Sequence, residues 1–319
     1  MGFIVLWQES KIYLGHPRFL IEINNMIFVI IATTWHRNHF LKDRSLFSVY
    51  HQKNIDPTLV KIIIVDDNDR MNQEYSPAYF SIKQIVIQLR EMLNMTETAF
   101  QTYVIKNTRT QHHSGTGAWN TGLHFITTFS PHWESSYVAI LDDDDEYLPD
   151  YLSTCFKYTQ KTEKNIYAAV FCRLIWKTEE TEVLHELTPD LLTPQNFFIG
   201  NPGVQGSNMF IKTTLLLDIG GFDETFPNTT DRELMIRLLD NIERHNQVSN
   251  PKYLLKVIEK PLVIHHNHSG KRVNTDILLK KVGLDLFYQK YRARFSEQDL
   301  FKSLERAKRL FQYEYQPRK

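Results

Sequence analysis

The sequence predicts an α/β fold, a mainly parallel, doubly wound sheet flanked by helices, and three observations carry that expectation. Apolar runs rich in β-branched residues alternate with segments of helical periodicity. The runs are continuous rather than alternating, as strands covered on both faces require. Three of them stop abruptly in polar residues, and in open α/β sheets ligands gather just beyond the carboxyl ends of strands.

Residues 1 to about 25 carry no clear period and read as an N-terminal extension, with a strand expected near Phe3 to Trp7. Met26 to Ala32, MIFVIIA, is the first buried strand, and it runs into Thr33, Thr34, Trp35, His36 and Arg37, a polar loop opening a helix through about Ser48. Lys61 to Val65, KIIIV, is the second strand and ends in Asp66 and Asp67. Ile82, Ile85, Val86, Leu89, Met92 and Leu93 then fall at helical spacing, followed by a short strand at Tyr103 to Ile105. The glycine-punctuated GTGAWNTG from Gly115 to Gly122 opens a helix, and Tyr137 to Leu141, YVAIL, is the strand after it. Tyr167 to Trp176 is strand-like, residues 179 to 200 read as a loop with short helices, and Gly200 to Gly206 as a turn-rich loop. A strand at Ser207 to Ile211 leads to a helix at Thr213 to Ile219. Thr230 and Glu233 have capping-box spacing, so a helix is expected to start at Asp231. Lys256 to Ile264 reads as the last strand, ending in His265, His266, Asn267 and His268, and two amphipathic helices follow Thr275. The division expected is an extension over 1–25, a main domain over 26–270 and a helical extension over 271–319.

Lysine plus arginine equals aspartate plus glutamate, 37 of each, so no global charge argues for nucleic acid or an anionic membrane as partner. The two cysteines, Cys155 and Cys172, lack a metal-like spacing. No apolar run is long enough to span a membrane, and the first residues lack the pattern of a signal peptide. A cytoplasmic location is expected, with peripheral membrane contact left open.

The most informative stretch is Tyr137 to Pro149, YVAILDDDDEYLP. Four adjacent carboxylates repel one another, and beside a buried strand they lack full hydration, so a divalent cation is the natural counter-ion. Hard oxygen ligands suit Mg²⁺ or Mn²⁺. The alternative is a solvated acidic loop, disfavoured by its place at a strand end.

Set side by side, IIATTWHR, KIIIVDDND, GTGAWNTGL, LDDDDEYLPDYL and GSNMFIKTTLLLDIGGFDETFPNTTDRELMIRL resemble, in order, five blocks of glycosyltransferase family two, the nucleotide-sugar-dependent enzymes with the GT-A fold. The likeness covers roughly residues 26 to 270. It implies a Rossmann-like, mixed but mainly parallel sheet and an inverting transfer of a sugar from a nucleotide-diphosphate donor, most often a UDP-sugar, to an acceptor hydroxyl. By the family pattern Asp142 opens the Asp-any-Asp motif near the ribose or a metal-bound water. Asp144 is the metal ligand, and Asp143 and Asp145 are a spacer and an acceptor-side or supporting group. Along an extended chain alternate residues share a face, so Asp142 and Asp144 can converge while Asp143 points away. The family's late histidine aligns with His268 as a further metal ligand; His266 would share its face and His265 the opposite one. Asp66 is expected at the base, with Thr33, Thr34, Arg37, Asn120, Asp142 and Asp143 around the nucleotide sugar. Asp145, Gly206, Ser207 and Arg232 are expected on the acceptor side or behind it.

Asp231 is the implied general base, taking the acceptor proton as the hydroxyl attacks the anomeric carbon. The bland alternative is a helix-start aspartate favoured by the macrodipole, with Glu233 explained by the capping box. Thr33 and Thr34 have a similar capping alternative. Where the family carries an arginine before its asparagine, this chain has Trp119 before Asn120. Arg109 or Lys106 then replaces the cation, or Trp119 stacks on a base, or it is a core residue. Two other classes compete: a nucleotidyltransferase, whose glycine-rich triphosphate loop is missing from TTWHRNHF, and a non-catalytic nucleotide-sugar or glycan-binding module. The acceptor is left as a glycan, lipid carrier, protein or small molecule.

Overall fold

The computed structural model describes residues 25–34, 36–68, 77–110, 115–159, 164–267 and 276–315. The strand expected near Phe3 and the candidate ligand His268 lie outside them. Strands β1 (Ile27–Thr33), β2 (Val60–Asp66), β3 (Gln101–Lys106) and β4 (Tyr137–Asp142) form the parallel half of a sheet ordered β3-β2-β1-β4. The order continues through β8 (Met209–Lys212), β6 (Asn165–Lys177), β9 (Lys252–His266) and β5 (Glu146–Tyr147), with β7 (Glu182–His185) on β6. β8 is antiparallel to both β4 and β6, whereas β9 runs parallel to β6. The sheet is therefore mixed but mainly parallel on the side that carries the first three polar strand ends.

Successive side chains of the parallel strands enter two different cores. Phe28, Ile30, Ile63, Val65, Val138 and Ile140 belong to one hydrophobic cluster, and Ile27, Val29, Ile31, Ile62, Ile64 and Leu141 to the other. This period of two with both faces buried is why the sequence shows unbroken apolar runs. Helix α4 (Thr116–Phe129) covers the first face together with α8 (Thr230–Val248), α9 (Ile277–Tyr291) and α10 (Glu297–Phe311). Gly122 lets α4 approach β1, since a Cβ there would stand 2.7 Å from Ile30 Cγ2. On the second face lie α1 (His39–Asp43), α2 (Ser45–Tyr50), α3 (Pro77–Met92) and α5 (Tyr151–Phe156). Short helices α6 (Pro194–Ile199) and α7 (Thr213–Asp218) complete the described elements.

Local expectations fail in four places, each for a tertiary reason. The helix expected through Ser48 is broken at Arg44 (φ −136°, ψ −88°), whose guanidinium reaches the carbonyl of Asp144 at 3.3 Å and covers the Phe40 ring. Within residues 179–200, β7 pairs with β6 instead of forming loop. Gly206 to Asn208 form a 3-10 turn before the strand, because the Asn208 side chain bonds the Gln205 N–H and the carbonyls of Cys172 and Gly203. The capping box before α8 is not formed: the cap is Thr229 in the left-handed region (φ 71°) without a side-chain bond, and Glu233 is engaged elsewhere.

Candidate active site

The register sets the site. Thr33 lies beside Asp66, and Ala32 beside both Val65 and Asp142, so the three strand ends form one edge. Beyond β4 the chain turns, with the Asp145 N–H bonding the Asp142 carbonyl at 3.2 Å. The alternation expected of an extended chain therefore does not apply to the aspartate run. Asp143, expected to point away, accepts from the Thr33 hydroxyl (2.9 Å) and from Nε of Arg37 (2.9 Å), and Asp142, Asp143 and Asp144 all line one cleft.

Arg37 bridges two of these carboxylates, its Nη2 lying 2.5 Å from Asp143 and 2.7 Å from Asp144. Burial alone would lower the guanidinium's pKa, but the two carboxylates more than reverse this. Burial pushes Asp143 up to about 7, with Arg37 opposing and Asp144 adding repulsion. Asp142 is raised as well, by burial first and then by Asp145, Asp144 and Asp231. Asp145 goes the other way. Although burial would raise it, the His265 ring at 3.0 Å, the Ser207 hydroxyl at 2.6 Å and the His266 N–H at 3.1 Å hold it below the usual carboxylate range. Asp145 is thus the buried post that fixes the end of β9 against the run. Ser207 also accepts from the Asp142 N–H at 3.1 Å, and Gly206 packs under β4, where a Cβ would meet Ile140 Cγ2 at 3.2 Å.

The start of α8 lines the same cleft. Asp231 lines the cleft with its Oδ1 buried and, among the described residues, without a hydrogen-bond partner. Burial raises its pKa to about 7 against the pull of Lys280 and His265. The helix dipole favours the anion, but desolvation wins. The cleft has a volume of about 440 Å³, within the range of small-ligand sites.

The family pattern described as glycosyltransferase-like family 2 matches residues 28–315. The chain belongs to that family. As a member of glycosyltransferase-like family 2 it is an enzyme of sugar transfer, which removes the nucleotidyltransferase and the non-catalytic module from consideration. No curated protein matches the sequence. Among solved structures, S. aureus TarS 1-349 in complex with UDP-GlcNAc is similar at 14% identity and a TM-score of 0.56, over 89% of this chain and 73% of that one. The mannosyltransferase PcManGT from Pyrobaculum calidifontis, in complex with GDP-Man and Mn²⁺, is similar at 15% identity and a TM-score of 0.50, over 89% and 75%. At these identities the likeness concerns the GT-A fold.

Within this family member the structure brings together Thr33, Thr34, Arg37, Asp142, Asp143, Asp144, Asp231 and Arg232 on the cleft. Thr34 is no helix cap, since α1 begins at His39 after Asn38. Asn120 leaves the set: its amide bonds both the N–H and the carbonyl of Phe222 and the Glu224 carboxylate, and so fastens a loop. Asp66 is engaged by Asn68, and it is the neighbouring Asp67, held by Asn107 at 2.6 Å, that reaches the cleft wall. Arg232 is spent structurally, donating to the carbonyls of Phe197 and Phe198 and to the Ser303 hydroxyl. Trp119 is a core residue 4.8 Å from the Phe222 ring, with its indole edge on the cleft and its N–H unpartnered among the described residues. Arg109 pairs with Glu224 instead of replacing the family arginine at the cleft. His265, which the sequence left on the opposite face from His268, is the described histidine whose ring meets the aspartates; His266 lies 2.5 Å from Glu146. Lys280, on the cleft beside Asp231, has no sequence signal at all, because only the packing of α9 brings it there.

Among the described residues no group of three or more His, Cys, Asp or Glu is arranged to hold a metal ion. The donor set still suits one. Asp142 and Asp144 are two hard carboxylates on one cleft, and a cation would offset the burial and the carboxylate repulsion that raise Asp142. Mg²⁺ is commonly held by one or two carboxylates with substrate phosphates completing its shell.

Proposed function

We propose that this glycosyltransferase transfers a sugar from a nucleotide-diphosphate donor, with a UDP-sugar as first choice, to an acceptor hydroxyl with inversion at the anomeric carbon. The observation that carries the reading is Asp231: a buried carboxylate oxygen without a partner among the described residues, with a pKa near 7, on the same cleft as the aspartate run. A base works best when its pKa lies near the operating pH, and Asp231 is free to receive a hydrogen bond from an entering hydroxyl.

The donor belongs on the strand side. Thr33, Thr34 and Asp67 line that end of the cleft, and Arg37 supplies positive charge beside the place where the leaving diphosphate gains negative charge. Asp142 and Asp144 would hold Mg²⁺ or Mn²⁺, which when bound neutralises the diphosphate. Asp145, Ser207 and His265 keep the run from moving. Asp231 takes the acceptor proton at the start of α8, and inversion requires the hydroxyl to attack from the side of the sugar away from the leaving diphosphate. TarS binds UDP-GlcNAc and PcManGT binds GDP-Man, and both uridine and guanosine donors belong in the test.

The test is a panel of nucleotide sugars assayed for turnover with Mn²⁺ or Mg²⁺, with the product's anomeric configuration read by NMR. Retained configuration would overturn Asp231 as the base of a single displacement.

A further inference from the structure

Beside Asp231 the cleft is lined by cations that the transfer chemistry above does not use. Lys280 of α9, Arg306 of α10 and Arg232 of α8 line it together, and none of the three has a carboxylate within 4.0 Å among the described residues. Their partners are neutral. Lys280 donates to the Asn228 amide oxygen at 2.8 Å and lies over the Phe311 ring, while Arg232 donates to backbone carbonyls and stacks 3.8 Å from the Phe287 ring centroid. Burial lowers the pKa of Arg232 to about 10 and of Lys280 to about 8, and the cations repel one another: Arg306 acts on both, and Arg232 on Lys280. Arg306 is lowered as well, by burial and then by Arg309. Gathering cations without a carboxylate in ion-pair contact in a partly desolvated cavity costs free energy that a bound anion would offset.

Two further observations point the same way. The nineteen-residue helix α8 starts at this cleft without a side-chain cap, so the positive end of its dipole faces the cavity. The hydroxyl of Thr229, a residue only 9% exposed, is buried on the same cleft and has no partner among the described residues. Asp231, the one anion acting on Lys280, belongs to the same turn. An oxyanion among these cations would therefore sit beside the hydroxyl that Asp231 receives. The donor end already has its cation in Arg37, on the strand side.

We propose that Lys280, Arg306, Thr229 and the start of α8 bind an oxyanion of the acceptor, a phosphate ester close to its reacting hydroxyl. The inference rests on the glycosyl-transfer reading for the role of Asp231. It narrows the acceptor to an anionic one.

The test titrates inorganic phosphate into the full chain by calorimetry, with and without saturating UDP and Mg²⁺. Phosphate should bind in both conditions. Lys280→Met and Arg306→Gln should each weaken it about tenfold or more, the scale of one charge-assisted hydrogen bond, while Lys280→Arg and Arg306→Lys retain most of it. UDP affinity should stay unchanged in all four variants. Absent phosphate binding, binding unaffected by both charge removals, or competition with UDP would overturn the proposal, the last by placing the phosphate in the diphosphate site. Acetate binding as tightly as phosphate, with the same dependence on Lys280 and Arg306, would overturn the phosphate assignment in favour of a carboxylate. Should none of UDP, GDP and dTDP bind the wild-type chain, the nucleotide-diphosphate donor reading falls, and the phosphate titration still decides the oxyanion site.

Discussion

At the scale of single residues, the chemistry expected of this enzyme is concentrated in one desolvated carboxylate. Asp231→Asn keeps the size of the side chain but cannot take a proton. Turnover should fall by about 10² to 10⁴, the usual contribution of general base catalysis, with donor affinity nearly intact. Transfer rates measured beside donor affinity check this, and full activity would leave Asp231 as an ordinary helix-start residue. The same carboxylate sets a pH dependence. Because the base must be ionised, the rate should rise with pH through about 7, and this limb should vanish in the variant. The stability effect has the opposite direction. A folded pKa raised above the unfolded value makes a contribution that is complete below pH 4 and lost as pH rises through 7. Asp231→Asn should therefore stabilise the fold at pH 8, by up to about 4 kcal/mol since each tenfold change in proton affinity is worth about 1.4 kcal/mol, and leave it unchanged at pH 4. Melting temperatures of both proteins at the two pH values check this, and equal effects at both would contradict the desolvation argument.

At the scale of elements, Glu233 shows how packing reassigns a residue. Its spacing from Thr230 suggested a dispensable cap. Instead it is fully buried, accepting from Nε and Nη2 of Arg237 at 2.7 and 2.6 Å, from Lys290 at 2.7 Å and from the Tyr291 hydroxyl at 3.0 Å. These bonds join α8 to α9, and Arg237 carries them on to the carbonyls of Ile219 and Gly221. Glu233→Gln removes the charge that two partly buried cations share, and should cost about 3 kcal/mol, the scale of a broken buried ion pair. Chemical denaturation measures it, and a change below about 0.5 kcal/mol, typical of a surface site, would contradict the network. The break at Arg44 between α1 and α2 follows the same logic. A helix-compatible sequence yields where its side chain is wanted at the aspartate turn.

At the scale of the whole molecule, the cleft is lined by the strand ends and by α8–α10, so filling it should couple both. UDP should raise the melting temperature only with Mn²⁺ or Mg²⁺ present: about 2.7 kcal/mol at a hundredfold excess over Kd, or a few degrees for a chain of this size. Equal stabilisation in excess chelator would remove the metal from the donor site. Asp144→Ala should abolish the metal dependence. Competition among UDP, GDP and dTDP in the same assay orders the bases.

The unbroken apolar runs determined by themselves that the β1–β4 half of the sheet is parallel and buried on both faces, and their polar ends put Thr33, Asp142, Asp143 and Asp144 at one edge. That much follows from local chemistry, since a strand's period and its termination are written in consecutive residues. The five ordered blocks carried the family as well. What the tertiary structure decided is how side chains share partners across long separations. Asp143 turns toward Arg37 because the run bends, Asp67 faces the cleft where Asp66 was expected, Asn120 fastens a loop, and His265 meets Asp145 across 120 residues. Lys280 and Arg306 reach the cleft only because α9 and α10 pack back over the start of α8. No periodicity encodes such meetings, because they arise from the path of the chain, and burial then moves the carboxylates and cations away from their solution behaviour.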